Sequence, residues 1–372
     1  MLNHKKIVNK FYKLESKYYN NENYEISKNQ LHLLIWNKNF IFPKFTFLGI
    51  ISNLILMFLS CLSILVCKIK KIKIANYFIV HKNKNGLYDF RSNYVLNNLN
   101  LNKSLNIIRC SSFLDSLKAY ILYPNVIFYL PIDYLNSSLF FKKSTLRNNY
   151  KILHKKENKN YKQLKKIFIF LQIKKFVSID DQRVIQIFLK ICSDLNIKSF
   201  GYMHYKFSKF VIGIKYRCFD NFLVWSEYFK KKLIEVNSKY EKKNLFISGY
   251  FKKKYKLKND KNKINILYII DLDLDFKSTT QLLVKLNKEK KINLYLKLKP
   301  QKIETKWESF CIKENIKYFK FENMDEVNSL VRMDYFLANI STALLEASLY
   351  GAIPLKLSTK NDFADDLIQD KV

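Results

Sequence analysis

The sequence predicts an α/β protein with two Rossmann-like domains in tandem and an apolar helix near the N-terminus. Three observations predict this fold class. Short apolar strands alternate with amphipathic helices along most of the 372 residues, which is typical of parallel sheets covered by helices. A lysine-rich stretch without apolar periodicity interrupts the alternation once, at residues 250–263. Residues 45–67 contain no charged side chain.

The chain is therefore divided into four predicted regions. It is long enough to bury two cores, because close to half of its residues are apolar. The regions are an N-terminal segment, a first Rossmann-like domain, a linker and a second Rossmann-like domain, covering residues 1–72, 73–250, 251–263 and 264–372.

The first domain contains seven predicted strands. A helix is predicted between the fourth and fifth, because "QRVIQIFLKICSDLNI" carries apolar residues at helical spacing. The strands are "IANYFIVHK", "SLNIIRC", "NVIFYLP", "KKFVSIDD", "KSFGYMHY", the start of "NFLVWSEYFKKKLIEV", and "NLFISGY".

The second domain repeats the alternation over fewer residues. Its predicted strands are "INILYIID", "NLYLKLKP", "IKYFKF", "DYFLANI" and "AIPLKL", with helices between them. Gly351 is expected to end the last helix in a left-handed conformation. Ligands bind at the carboxyl ends of strands in such sheets, so two tandem domains predict a ligand cleft between them.

The segment "FTFLGIISNLILMFLSCLSILVC", residues 45–67, predicts a membrane-embedded helix, either spanning or re-entrant. Its 23 uncharged residues are long enough to cross ~30 Å of hydrocarbon. A helix buried in a large core is the alternative. Both flanks are basic, so the charge rule does not fix the topology. Six cysteines without regular spacing indicate a reduced protein, which predicts a cytosolic bulk on a cytoplasmic membrane.

The net charge of +35 is unevenly distributed. Residues 1–262 carry 49 basic and 15 acidic side chains, whereas residues 263–372 carry 17 and 16. Codon bias would act on both parts alike. We therefore expect the first part to meet an anionic membrane surface or an anionic acceptor, with nucleic acid as the rival partner. The basic run at residues 141–168 either docks on anionic headgroups or forms a solvated helix face.

Ser341 and Thr342 stand where a strand passes into the last predicted helix. As an N-cap, Ser341 would satisfy a helix N–H, and this explains it structurally. The functional alternative is a phosphate site at the helix N-terminus. Thr342 and Glu346 share one helix face, so Glu346 could accept hydrogen bonds from a ribose. A solvent-facing role for Glu346 is the alternative.

The stretch "STALLEASLYGAIPL" resembles the donor-binding segment of GT-B glycosyltransferases. Further stretches are similar to bacterial surface-carbohydrate transferases of that class, including sialyltransferase-like members. They are "NIKSFGYMHYKFSKF", "DNFLVWSEYFKKKL" with "NLFISGY", "LYLKLKP", and "SIDDQR". The resemblance covers roughly residues 174–359. It implies a GT-B fold, a nucleotide-sugar donor, and a glycan or lipid-linked acceptor.

The resemblance also implies donor-binding residues. Ser341, Thr342 and Glu346 match the helix segment. Lys297 and Pro300 match a Lys-x-His-Pro strand end, in which Lys299 stands where the family has histidine. A lysine can contact the same phosphate as a point charge.

Catalysis requires a base that activates the acceptor hydroxyl, and such a base is expected at a strand end of the first domain. Asp180 and Asp181 end one predicted strand, and adjacent carboxylates push one pKa upward. His204 ends another strand, and its position matches a family histidine. The structural alternatives are helix capping for the aspartates and an ordinary hydrogen-bonded histidine. Asp89 and Arg91 are further candidates for contact with acceptor or base.

A metal or a cofactor is not expected. "DLDLD" places Asp271, Asp273 and Asp275 at metal-chelating spacing, but its position at the start of the second domain favours an ordinary acidic loop. The five histidines are scattered and form no ligand motif. The sequence lacks the glycine motifs of P-loop and dinucleotide enzymes.

Two alternatives to a metal-independent glycosyltransferase remain open on the sequence. One is a phosphotransferase of the teichoic-acid type, which moves glycerol or ribitol phosphate and differs only in its donor. The other is a basic protein without enzyme activity that binds a membrane or nucleic acid. Salt-sensitive DNA binding would favour the latter.

Overall fold

The structure is a computed structural model of the chain. It describes residues 4–15, 17, 24–36, 47–83, 86–88, 99–110, 112–129, 146–178, 184–203, 212–249, 263–270, 276–298, 305–320, 322, 324–339, 341 and 343–357.

The chain divides into two compact units. The first unit contains Lys5–His81 and Leu87–Tyr250. The second unit contains Phe251–Val372, together with Met1–His4 and Lys82–Gly86. Each unit contains one parallel sheet, so the predicted α/β class with two Rossmann-like sheets is confirmed.

The sheet of the first unit has seven parallel strands in the order β5-β4-β1-β6-β7-β8-β9. A separate two-stranded sheet pairs β2 with β3. The strands are β1 (Ile74–Ile79), β2 (His81–Asn83), β3 (Gly86–Tyr88), β4 (Leu105–Arg109), β5 (Val126–Phe128), β6 (Lys175–Ser178), β7 (Lys198–Tyr202), β8 (Asn221–Val224) and β9 (Leu245–Ile247). All seven predicted strands of this domain are confirmed, with shorter bounds.

The sheet of the second unit has five parallel strands in the order β12-β11-β10-β13-β14. The strands are β10 (Ile264–Ile269), β11 (Ile292–Lys297), β12 (Lys317–Phe319), β13 (Tyr335–Ala338) and β14 (Ile353–Lys356). Counted along the chain, this order is 3-2-1-4-5, which is the strand order of dinucleotide-binding Rossmann sheets. The main sheet of the first unit follows the same order and adds two strands at one edge.

Twelve α-helices occur in the described residues. They are α1 (His4–Glu15), α2 (Tyr24–Trp36), α3 (Phe47–Ile69), α4 (Phe113–Leu122), α5 (Leu146–Leu171), α6 (Ile185–Asp194), α7 (Ile212–Tyr216), α8 (Glu227–Val236), α9 (Phe276–Lys288), α10 (Thr305–Lys313), α11 (Met324–Leu330) and α12 (Ala343–Glu346). The helices predicted around α6, α8, α9, α10 and α11 are confirmed.

Several helices enter the next strand through the same tight turn. Lys71, Gln172, Asn196 and Asn315 adopt positive φ angles directly after α3, α5, α6 and α10. In each case the next residue is an isoleucine that is at most 4 % exposed and donates its N–H to a carbonyl five residues earlier. This is the Schellman ending, in which the apolar residue after the turn packs back on the helix. The connection from α3 to β1 therefore has the same geometry as the connection from α5 to β6.

Helices cover both faces of the second sheet. One face packs Tyr268, Leu296 and Leu337 against Leu283 of α9 and Trp307 of α10. The other face packs residues of β10 and β13 against α11, α12 and the turn that follows α12. Because neighbouring positions along a strand point to opposite faces, the side chains at each strand end are sorted between these two layers.

The apolar helix α3 packs on the edge strand β5 and contacts α4 and α5. Among the described residues, it is the helix that is long and apolar enough to cross a bilayer. Only 22 % of its most apolar window is buried. A fully buried core helix, the alternative that the sequence left open, therefore does not fit.

Candidate functional site

The second sheet has a topological switch point between β10 and β13. From β10 the chain moves outward to β11 and β12, and it then returns to the other side of β10 to form β13 and β14. The connections leaving β10 and β13 therefore diverge at the carboxyl edge of the sheet. In open α/β sheets, ligands bind outside the carboxyl ends of the strands at this point.

Two predicted donor-binding segments flank β10 at this edge. Lys297, the last residue of β11, is level with Ile269 of β10. Ala338, the last residue of β13, is also level with Ile269, because Leu337 pairs with Tyr268. Neighbouring strands are ~4.8 Å apart, so the backbones at Lys297 and Ala338 are separated by about 10 Å. A nucleoside diphosphate has comparable dimensions.

Lys297 is a buried cation, with only 8 % of the residue exposed. Its Nζ donates to the carbonyl oxygen of Leu298 at 2.7 Å and to that of Lys320 at 3.3 Å. Burial lowers the pKa of the Lys297 ammonium from 10.5 to about 8, although the carboxylates of Glu322 and Glu326 raise it. Lys297 is therefore positively charged at pH 7.

Ser341 caps the short helix α12. Its Oγ accepts a hydrogen bond from the N–H of Ala343 at 3.3 Å, and its carbonyl oxygen accepts one from the N–H of Leu344 at 3.2 Å. This is the capping geometry that satisfies a helix N–H two residues downstream. Ser341 thus acts as the predicted N-cap, whereas its contact with a phosphate stays a prediction.

The helix after Ser341 is shorter than the sequence predicted. The α-helical part contains four residues, and a 3₁₀ turn, Ala347–Tyr350, replaces its second half. Gly351 then adopts φ 70°, as predicted, and begins the turn into β14. A single α-helical turn aligns few peptide dipoles, so the dipole argument for a phosphate site is weaker than expected. The tighter turn is accompanied by burial of Ala347 and Tyr350 against the sheet.

Glu346 is half-buried at the end of α12, where the 3₁₀ turn begins. This segment is fastened to the neighbouring helix α11. Tyr350 is 2 % exposed, its ring packs on Phe336, and its hydroxyl donates to Asp325 Oδ1 at 2.9 Å. The position of Glu346 is therefore set by core packing rather than by a free loop.

Much of the predicted site lies outside the described residues. The two strands that precede the predicted base residues are present, and β6 ends at Ser178 and β7 at Tyr202. The predicted residues outside the description are Asp180, Asp181, His204, Lys299, Pro300, Thr342, Asp89 and Arg91. Their roles stay predictions.

Sequence reasoning missed the acidic surroundings of Lys297. Glu322 follows β12 and Glu326 lies in α11, and both act on the ammonium electrostatically. Beyond them, Lys320 Nζ forms a half-buried ion pair with Glu308 Oε1 at 2.6 Å. The alternation of charge in "KFENMDE" was visible in the sequence. Its position at the end of β12, next to β11, follows only from the sheet order.

No group of three His, Cys, Asp or Glu side chains converges as a metal site within the described residues. The predicted acidic loop with Asp271, Asp273 and Asp275 lies outside them.

No protein-family model matches the chain, and no curated protein sequence matches it. Solved structures do resemble it. The lipopolysaccharide outer core galactosyltransferase WaaB is 12 % identical, with 77 % of this chain and 82 % of WaaB covered and a TM-score of 0.46. The UDP-GlcNAc 2-epimerase from Methanocaldococcus jannaschii is 10 % identical, with 79 % and 86 % covered and a TM-score of 0.47.

Anabaena Alr3699/HepE in complex with UDP-glucose is 8 % identical to this chain. The match covers 80 % of this chain and 90 % of HepE, with a TM-score of 0.46.

Proposed function

We propose that the chain is a glycosyltransferase that binds a nucleotide sugar at the carboxyl edge of the second sheet. The observation that carries the proposal is the placement of Lys297. This buried cation lies one strand away from the switch point, where a Rossmann-ordered sheet binds its ligand. A positively charged group held in a dry environment stabilises the negative charge of a departing phosphate more strongly than one in water.

We assign the remaining contacts with the donor to residues that follow the two strands next to β10. Ser341 and Thr342 supply hydroxyl and N–H groups for phosphate oxygens, and Glu346 accepts hydrogen bonds from the ribose. Lys299 and Pro300 complete the strand end that follows Lys297. The fastening of Tyr350 to Asp325 supports this assignment, because a binding residue must be held in place before the ligand arrives.

The reaction is a displacement at the anomeric carbon of the sugar. The oxygen of the acceptor hydroxyl forms a bond to this carbon, and the bond from the carbon to the phosphate oxygen breaks. The hydroxyl proton passes to a base, and the nucleotide leaves with its phosphate. We assign the base to Asp180, Asp181 or His204, which follow β6 and β7 of the first unit in the chain. A positioned base contributes typically ~10²–10⁴-fold.

We place the reaction at the cytosolic side of a membrane, on a surface glycan or a lipid-linked acceptor. The apolar helix α3 and the basic excess of residues 1–262 support this location. Anionic lipid attracts basic protein surfaces by ~1 kcal/mol for each lysine close to the membrane.

The test is calorimetric binding of CMP-, UDP- and GDP-sugars to the wild type and to Lys297→Met. Loss of a hydrogen bond to a charged group weakens binding roughly tenfold to a hundredfold. Because the anionic donor binds the protonated amine, wild-type affinity should fall as the pH rises above about 8. Lys297→Met should show no such fall.

Lys317→Met is the matched control, because Lys317 begins the neighbouring strand β12, two residues before the position level with Lys297, and is exposed. It should bind the donor as the wild type does. Equal losses in both variants would indicate a general effect of charge. Absence of saturable binding by every nucleotide sugar would overturn the proposed function.

A further inference from the structure

The helix α3 presents a wide apolar surface on one side. Six of its side chains are more than half exposed: Phe47, Leu48, Leu54, Phe58, Leu65 and Ile69. A soluble protein rarely leaves so many large apolar side chains together in water, so this surface indicates an apolar partner.

The opposite side of α3 packs against the first sheet. Asn53, Leu56, Ser63 and Cys67 are at most 4 % exposed and recur at intervals of three, seven and four residues. Ser60 lies on the same stripe, seven residues from both Asn53 and Cys67. These intervals place the five side chains along one face of the helix.

Ser60 bonds α3 to the edge of the sheet. Its Oγ accepts a hydrogen bond from the backbone N–H of Phe128 in β5 at 3.2 Å, and it donates to the carbonyl oxygen of Leu56 at 2.7 Å. β5 is the edge strand of the seven-stranded sheet, so α3 covers an edge that would otherwise expose its backbone groups. Asn53 donates to the carbonyl oxygen of Gly49 at 2.7 Å.

A helix fixed in this way cannot have lipid around its whole circumference. One face is covered by β5, α4 and α5, and the C-terminal end turns directly into β1 through Lys71. A helix of 23 residues is ~34 Å long, and β5, α4 and α5 lie beside it. Crossing the bilayer would therefore carry the sheet edge into hydrocarbon, where unpaired polar groups are expensive.

Neighbouring helices also expose apolar side chains, and α3 itself supplies positive charge. Ile121 of α4 is 81 % exposed. At the end of α5, Ile169 and Phe170 are exposed, and Lys68 of α3 places its Nζ 4.6 Å from the centre of the Phe170 ring. The same Nζ donates to the carbonyl oxygen of Phe170 at 2.6 Å. Exposed cations and exposed apolar side chains thus share one surface.

We propose that α3 lies in the plane of an anionic membrane leaflet, inserted along one side only. The apolar side of the helix enters the boundary between headgroups and acyl chains, typically by ~5–10 Å, and the lysines after it contact anionic headgroups. This mode replaces the spanning or re-entrant helix that the sequence predicted. It concerns the first unit alone and holds whether or not the second unit binds a nucleotide sugar.

The test measures how deeply each part of α3 enters vesicles of phosphatidylcholine and phosphatidylglycerol. An environment-sensitive dye is attached to native Cys61, which is exposed. In two further variants Cys61 is replaced with serine, and the dye is attached to the cysteine introduced by Leu48→Cys or by Ile69→Cys, near the two ends of α3. The other five cysteines are buried or half-buried. Lipids with spin labels at shallow or deep positions then quench the dye.

An in-plane helix predicts that all three dyes enter the membrane, and that shallow labels quench all three more than deep labels do. Lys231→Cys is the matched control, because α8 packs at the opposite edge of the sheet and Lys231 is exposed. Its dye should not respond to vesicles. Replacing Lys68, Lys70 and Lys71 with alanine should weaken binding about fivefold for each lysine, and only on anionic vesicles.

Three results would overturn the proposal. A spanning helix would be shown if deep labels quenched the dye at Cys61 best while shallow labels quenched the dyes at positions 48 and 69 best. Dyes that do not respond to vesicles would exclude lipid as the partner. Dyes that report an apolar environment without vesicles, in a protein that sediments as a dimer, would assign the surface to a second copy of the chain. Donor binding is measured separately, so these failures are distinct from failure of the proposed function.

Discussion

Helices α3 and α5 pack on the same sheet with opposite distributions of polarity. α3 buries a stripe containing Asn53 and Ser63 and exposes leucine and phenylalanine. α5 exposes lysines and buries mainly large apolar and aromatic side chains, together with Glu157 and Asn160. The apolar ones are Tyr150, Leu153, Tyr161, Leu164, Phe168 and Leu171. Both end in a Schellman turn that leads into a central strand.

The comparison teaches that the average polarity of a helix does not decide which of its sides is buried, because the neighbouring elements do. The basic run at residues 141–168 was expected to dock on headgroups or to be a solvated face. Residues 146–168 of this run belong to α5, whose lysines are mostly exposed, in agreement with the solvated face; docking on headgroups stays a prediction. The buried side of α5 packs against α2 through Tyr150. The apolar helix, not the basic one, is left with a large surface open to a membrane.

The largest expected effect comes from the buried side of α5. Phe168 is 1 % exposed and packs against Phe176 and Phe188. Phe168→Ala should lower the free energy of unfolding by about 3–5 kcal/mol, because it removes apolar contacts and leaves a cavity. Chemical denaturation with urea measures it.

Phe170→Ala is the control, since Phe170 lies on the same helix and is 45 % exposed. Its change in stability should be below about 1 kcal/mol. Equal losses at Phe168 and Phe170 would contradict the assignment of a buried and an exposed side to α5.

A smaller effect is expected where α3 meets β5. Ser60→Ala removes the acceptor of the Phe128 N–H, and an unsatisfied buried donor costs about 1–3 kcal/mol. The Phe128 amide should then exchange its hydrogen faster in deuterated water. Ser60→Thr keeps the hydroxyl and should preserve the protection. If Ser60→Ala left that amide equally protected, the docking of α3 on the sheet edge would be wrong.

The smallest effect concerns pH and distinguishes the two helices. Asp194 at the end of α6 bonds Lys165 and Tyr161 of α5. Burial by itself raises the pKa of Asp194, but hydrogen bonds from Lys190 and Tyr161 outweigh it and lower the pKa from 3.8 to about 2.

Because the folded pKa of Asp194 lies below the unfolded value, its contribution to stability is present above about pH 4. It is lost as the pH falls from 4 toward 2. Asp194→Asn should cost on the order of 1 kcal/mol at pH 6 and roughly half as much at pH 3. Residues 47–69 contain no carboxylate, so the attachment of α3 should not share this dependence. If Asp194→Asn lowered the free energy of unfolding equally at both pH values, the ion pair would not be the source of the stability.

The order of strands and helices was predictable because it depends on the local spacing of apolar residues. Every predicted strand of the two sheets formed, and Gly351 adopts the left-handed conformation expected of it. The length of α12 was not predictable, since the choice between α and 3₁₀ geometry at Ala347–Tyr350 depends on packing against β13 and α11.

The candidate site divides in the same way. The sequence singled out Lys297, Ser341 and Glu346 from strand ends and helix starts, which are local features. The lowered pKa of Lys297 needed tertiary structure, because it comes from burial of the ammonium. The carboxylates of Glu322 and Glu326, which oppose this shift, reach Lys297 only through the order of the strands and the packing of α11.

The sequence by itself determined two runs of alternating strands and helices, an uncharged helix before them, and an uneven distribution of charge. Tertiary structure alone decided which side of each helix is covered. Hydropathy summed along a chain does not say which neighbour will remove a given side chain from water. In α3 that neighbour is the edge of a sheet, which takes the polar stripe and leaves the apolar side outward.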